Sequence, residues 1–361
     1  MQIYWYPVVI SAALILLRVV GRPVRVPMTL QITLLALPVV VVLVMFVGEN
    51  SDWAAYRQLV ESCVHFGCTY FEPGFDAIMF FSASIGGFGF LKILLVLAFI
   101  ASLLLILQLI GRALPVSFQY TALVVSVLPL MLGAIRQSLG LPFFLYAILL
   151  LHRGKTFKSF VVAVVGSSIH YSIGIAWLFA YLILVVTDWG RRFSSRRGVH
   201  LILLAISALL AITIFVDLSY IQALDFPILS RLGMTHYGTI YVDVDAGGET
   251  RDLLITLERV ILTLLAVVLM CRVGKLERFI GTLVIVGNLI FFLFVDIDRN
   301  IAGRMLAYFR IFDILAISLA ISGWRILSTR RENEIVAGFV IIMYALIKSY
   351  FSLATVGFFD D

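Results

Sequence analysis

The chain is predicted to be an all-α polytopic membrane protein, on three observations. Of its 361 residues 62% are hydrophobic and 13% charged, where a soluble domain carries about 25% charged residues. Mean hydropathy is +1.09. The apolar residues recur in continuous runs from Ile3 to Phe359 instead of collecting in one anchor. A spanning helix uses about 20 apolar residues, so there is material for about twelve transmembrane helices and little else. Runs of about 15 residues or more, without period-two alternation, exclude an outer-membrane barrel and disorder. The composition equally excludes a soluble enzyme domain. It also leaves the +6 net charge to the membrane rims, with no nucleic-acid partner.

Taken in order, the first run, 3–20, has no basic residue before it and no small-residue cleavage site after it. It therefore reads as a retained span and not a secretory signal. Further spans fall at roughly 29–47, 89–111, 119–134, 138–151, 157–169, 171–187, 199–216, 252–271, 279–295, 309–327 and 335–350. All belong to a single integral membrane domain, 1–361. Two outside segments are long enough to build a site. The first loop, 48–88, holds Asp52, Tyr56 and Glu72; its apolar end, 75–87, is too short to cross and reads as a helix lying at or dipping into the outer surface. The second, 218–250, holds Arg231, His236, Tyr237, Asp243 and Asp245.

Orientation follows from lysine and arginine. With the N-terminus outside, Arg18, Arg22, Arg25, Arg112, Arg325, Arg330, Arg331 and the clusters at 153–158, 191–197 and 272–278 lie inside. That gathers 17 of the 27 basic residues there, with only Asp188, Glu277, Glu332 and Glu334 of the 21 acids. Both termini then face out, and the acidic excess outside places the chemistry there.

Charge also decides two ambiguous stretches. Residues 120–151 are too long for one helix and carry Arg136-Gln137 near the middle. A single crossing over 160–187 would put the two flanking basic clusters on opposite faces. Each stretch is therefore read as a tight helical hairpin with short, broken or re-entrant helices. The outward turns present Arg136-Gln137 and Ile169-His170-Tyr171-Ser172. Irregular backbone at that depth survives only where protein or a wet cavity satisfies it, so both turns are expected to line one cavity.

Arg136 lies among apolar residues, where a guanidinium is costly unless it pairs or reaches water. Its fork suits phosphate oxygens; the plainer reading is an interfacial snorkeller. His170 reads as a general base, as a donor to a leaving phosphate or sugar, or as an interhelical hydrogen bond with Ser168 or Ser172. Arg299, Arg304 and Tyr308, between the tenth and eleventh spans, group where an outer-leaflet pyrophosphate would lie, with helical spacing putting Arg304 and Tyr308 on one face. The triplets Asp243-Val244-Asp245 and Asp296-Ile297-Asp298 are read as solvated acidic loops and not metal sites. Cys63 and Cys68 share the outside, oxidising compartment and form a candidate disulfide loop, with Gly67 permitting the turn.

Asp52-Trp53-Ala54-Ala55-Tyr56, Glu72-Pro73-Gly74-Phe75, Arg136-Gln137-Ser138-Leu139, Ile169-His170-Tyr171-Ser172 and Gly303-Arg304 before Tyr308-Phe309 resemble, in that order, the EpsG-like branch of the Wzy polysaccharide (O-antigen) polymerases. The loop around 231–245 carries no matching motif. The resemblance implies a GT-C-like, metal-independent glycosyltransferase of the bacterial inner membrane, without cofactor. It would act at the periplasmic face on undecaprenyl-diphosphate-linked glycan donor and acceptor, among membrane lipid and with a chain-length regulator protein as a partner. Arg136, Arg304 and Arg299 would then hold the diphosphate, and Tyr56, Gln137, Tyr171 and Tyr308 the glycan. Glu72, Asp52 and His170 compete as the base, a carboxylate being favoured for an inverting route. The alternatives are an O-antigen ligase or another enzyme using the same carrier and, from another class, a lipid-linked glycan flippase. The flippase is disfavoured by the absence of an internal repeat.

Overall fold

The computed structural model describes residues 51–193, 248–323 and 330–354, apart from 69–70, 112, 273 and 295–298, together with a few positions between 9 and 41. Every regular element among the described residues is an α-helix. In chain order they are α1 Ser51–Phe66, α2 Pro73–Ile85, α3 Gly87–Ile110, α4 Val116–Gly133, α5 Ile135–His152, α6 Thr156–Ile169, α7 Ser172–Phe193, α8 Gly248–Met270, α9 Lys275–Phe294, α10 Arg299–Ala307, α11 Arg310–Gly323 and α12 Arg330–Ala354. By length and composition α3, α5 and α9 suffice to cross a membrane, and several shorter apolar helices accompany them. The protein is therefore a multi-pass helical membrane protein. Its surface agrees: α8 exposes Leu257, Ile261, Leu264 and Val268, and α6 exposes Phe157, Phe160, Val161 and Val164. Apolar stripes of this kind at helical spacing belong against hydrocarbon.

The chain divides into two compact units, Met1–Leu178 with Arg310–Asp361, and Phe179–Phe309. In the first, α5 packs against α3 and α6, α2 against α1 and α6, and α4 against α11 and α12. The α5–α6 link closes through Gly154 at φ 74°, a left-handed position that glycine takes without strain. Two devices draw α5, α6 and α7 together. Ile173 on α7 wedges against Gly140 of α5 and Gly166 of α6, where an added Cβ on either glycine would collide with it. Farther along, the Ser159 hydroxyl donates to the Ala147 carbonyl (2.7 Å) and accepts from the Trp177 indole (2.7 Å). Small residues let helices approach in lipid, and buried hydroxyls bridge them.

In the second unit α8 packs on α9, and α10 on α9. The fully buried Arg259 donates to Asn288 Oδ1 at 3.2 Å and lies 3.2 Å from Glu258, while Asn288 donates to Thr263 Oγ1 at 2.9 Å. A mid-helix arginine is thus paired inside the protein and not left to the bilayer.

Several expectations change. Much of the first outside loop is helix: Trp53, Val60 and Cys63 fall on the buried face of α1, a stripe too short to read as a span. The break in 120–151 falls at Ala134 (φ −151°), so Arg136-Gln137 stand in the first turn of α5 instead of in the turn itself. Helix α10 stops at Ala307 and Tyr308-Phe309 form a turn, so the helix expected to run on through Tyr308 ends just before it. The break at His170 falls as expected, and so does the helix after Glu72. The spans at 3–20, 29–47 and 199–216, the loop 218–247 and Asp296-Ile297-Asp298 lie wholly or almost wholly outside the described residues.

Candidate active site

Glu72 is where the segment between α1 and α2 meets the two helix breaks. It is the N-cap of α2, in extended conformation (φ −67°, ψ 142°), with Pro73 opening the helix; the fixed φ of proline suits that position. Asp76 reaches back one turn to accept from the Phe71 amide at 3.0 Å, which holds the approach to Glu72 in place. Gly74 sets the depth. A Cβ there would lie 2.7 Å from the Ser168 carbonyl oxygen and 2.8 Å from its carbon, so only glycine lets the start of α2 lie against the end of α6.

That contact delivers the Glu72 carboxylate to both breaks. Arg136 Nη1 donates to Oε2 at 2.7 Å, and His170 Nδ1 bonds Oε1 at 2.9 Å, with the Tyr171 amide at 3.4 Å from the same oxygen. Arg136 also donates through Nε to the Tyr56 hydroxyl at 3.1 Å, and its guanidinium carbon stands 4.4 Å from the centre of the Phe71 ring. Phe71, Phe75 and Tyr56 pack mutually, with centroids 5.6 to 5.8 Å apart. The side chains of Glu72, Arg136 and His170 are 4%, 9% and 13% exposed, so the imidazole is the most accessible of the three.

Electrostatics fixes the protonation pattern. Burial alone would raise the Glu72 pKa. The hydrogen bond from His170 and the positive charge of Arg136 outweigh it, and the pKa falls to about 2. An ionised carboxylate only accepts hydrogen bonds, so His170 Nδ1 carries a proton, and in the neutral ring the lone pair is on Nε2. Glu72 and His170 are thus a carboxylate–imidazole dyad of the kind that orients a base, with Arg136 locked to the same carboxylate.

Of the other candidates, Gln137 is buried and Tyr171 is 41% exposed beside the dyad. Asp52 is the second residue of α1 and Arg299 the first of α10; their side chains lie outside the described residues. Arg304 on α10 is half-buried, and Tyr308 is fully buried. Both belong to the second unit. Among the described residues no three His, Cys, Asp or Glu side chains come together to hold a metal, and Asp243 and Asp245 are outside them. Cys63 and Cys68 are bridged, with Cα atoms 4.9 Å apart, and Gly67 ends α1 at φ 79°. Phe71, Gly74 and Asp76 had no candidate role in the sequence. The clustering of aromatics around Glu72 was the available signal for the first, and none exists for the close approach at Gly74.

The profile of the EpsG family matches residues 31–359, nearly the whole chain. The chain belongs to the EpsG family. It is a Wzy-like, polymerase-type family, and the EpsG match takes in Glu72, Arg136, His170 and Arg304 alike. No curated protein and no solved structure matches the chain.

Proposed function

We propose that this EpsG-family protein is a polysaccharide polymerase of the bacterial inner membrane. It moves a growing glycan from undecaprenyl diphosphate to the terminal sugar of a lipid-linked repeat unit at the periplasmic face. The fold is GT-C-like, with about twelve spans and both termini periplasmic. One observation carries the reading: a buried carboxylate clamps a histidine and an arginine at the two helix breaks. Glycosyl transfer with a diphosphate leaving group needs those two functions side by side.

His170 Nε2 takes the proton of the acceptor hydroxyl. The acceptor oxygen forms a bond to the anomeric carbon as the bond to the diphosphate oxygen breaks, and the electron pair leaves with the diphosphate. Arg136 directs positive charge at that departing oxygen. Glu72, ionised and already accepting from Arg136, His170 and the Tyr171 amide, is a poor base; it positions His170 and Arg136. Tyr171, exposed beside the dyad, is assigned to the sugar hydroxyls. No step uses a metal, so elongation is expected to persist in chelator, and loss on EDTA restored by a divalent ion would overturn that point.

The deciding assay combines purified protein with lipid-linked repeat unit and scores longer lipid-linked glycans. Wild type elongates; His170→Ala does not, although it inserts normally. Transfer to lipid A core in place of repeat unit would point to a ligase. A protein that moves lipid-linked glycan across vesicles without elongating it would be a flippase.

A further inference from the structure

The inward face of α1 carries Trp53, Tyr56, Val60 and Cys63, at spacings of three and four that align residues along one side of a helix. Tyr56 receives Arg136 from α5. One turn nearer the start of α1, the fully buried Trp53 receives a second cation, from α3. The Lys92 ammonium stands 5.6 Å from the Trp53 ring centre and 5.9 Å from that of Phe88, and the two rings meet edge to face at 5.5 Å. Two cations from different helices thus reach one face of α1, separated by about 4.5 Å of helix rise. A lysine near the outer end of an apolar helix ordinarily extends toward headgroups. This one turns onto a buried indole, whose face attracts the charge.

We infer that Lys92 is a diphosphate-binding residue, seated by Trp53 and Phe88 beside the Tyr56–Arg136 contact. The inference rests on the polymerase reading. A polyprenyl diphosphate carries two phosphoryl groups and at least two negative charges, while Glu72 already balances one positive charge at the dyad. Arg136 faces the phosphoryl group whose oxygen leaves the sugar. Lys92, a compact point charge, takes the second phosphoryl group. This gives the Trp53 of the first motif a role: it aims a cation.

The test measures binding to purified protein in nanodiscs of zwitterionic lipid, with undecaprenyl diphosphate, undecaprenyl monophosphate and phosphatidylglycerol as separate probes, alongside the elongation assay. Lys92→Gln is expected to weaken diphosphate binding about tenfold and monophosphate binding much less. It raises KM for the lipid-linked donor more than it lowers kcat, and Lys92→Arg restores most of both. Should Lys92→Gln accumulate poorly, Phe88→Leu keeps the lysine and removes one wall of its seat; diphosphate binding must then still fall severalfold. Unchanged diphosphate binding in these variants overturns the inference, as does an equal loss for all three lipids, which marks a general headgroup anchor. If wild type binds the diphosphate through Lys92 but elongates nothing, the polymerase reading fails and the binding site stands. A wild type that binds none of the probes overturns both.

Discussion

Arg136 keeps its charge below the protein surface because three partners divide its guanidinium: Glu72 on Nη1, Tyr56 on Nε and the Phe71 ring against its plane. Lysine keeps the charge but serves only a point contact. Arg136→Lys is therefore expected to insert normally while polymer formation falls about tenfold or more, the loss of one to two kcal/mol of transition-state stabilisation. Wild-type glycan length and yield in that variant would leave Arg136 a structural partner of Glu72. Glu72→Gln is more damaging, because it strands a buried guanidinium, a loss of about 3–5 kcal/mol visible as a lower unfolding temperature in detergent. The sign with pH follows from the lowered pKa. Glu72 stabilises the fold fully above its ordinary value of 4.5, and the contribution fades as pH falls from there toward about 2. The gap between wild type and Glu72→Gln should narrow as the pH drops from 4.5 to 3; a gap that stays constant down to pH 3 contradicts the pairing. Arg136 and His170 were legible alone, as polar groups in apolar stretches, and Glu72 through the first outside loop and the motif that carries it. Their union was not, because the Glu72–Arg136 contact spans 64 residues and the Glu72–His170 contact 98, and no local pattern encodes which cation a distant carboxylate meets. The burial cost that pointed to a lipid anion at Arg136 is met first by Glu72 of the same chain.

Between elements, the site depends on how closely α2 lies against α6. Gly74 has no conformational reason to be glycine beyond that contact, since the obstruction is the Ser168 backbone, which cannot swing aside. Gly74→Ala is expected to push the start of α2 outward and lengthen the Glu72–His170 contact. Elongation then drops by at least about tenfold, while α2 itself, gaining a better helix former, remains helical. Normal activity in Gly74→Ala would mean that the dyad tolerates displacement and is not the reacting centre. The helix breaks that flank the dyad were legible, because 120–151 is too long for one helix and carries Arg136-Gln137 near its middle, and returning both basic clusters to one side required a turn near 170. Helix α1 was not legible as helix: it binds the rest of the unit through a few side chains on one narrow face, while Arg57 and Glu61 on its outer side pair with each other at 3.0 Å and give the segment the look of a loop. The end of α10 was not legible for a similar reason, since a helix of nine residues is below the length at which periodicity fixes a boundary.

At the scale of the whole molecule, orientation is the property on which the chemistry depends, because a site for lipid-linked glycan must open to the side where the repeat units arrive. The charge count assigns the first outside segment, with the Cys63–Cys68 bridge and Glu72, to the periplasm, and assigns the end of α8 to the cytoplasm. The native cysteines report on both sides. Cys271, exposed in the turn after α8 and free of any disulfide, should resist a membrane-impermeant maleimide in intact spheroplasts and react once the membrane is opened. Cys63 and Cys68, bridged across the left-handed Gly67, should resist the same reagent until an impermeant phosphine has been added, and then take two labels without permeabilisation. Intact mass before and after reduction gives the same count independently. Labelling of Cys271 from outside, or of Cys63 and Cys68 only after lysis, would invert the topology and put the Glu72 dyad in the cytoplasm. There the acceptors would be sugars on the inner leaflet, and the polymerase reading would give way to a cytoplasmic one. A bridge that persists through purification without reductant makes that inversion hard to sustain, since thiols facing the cytoplasm are kept reduced.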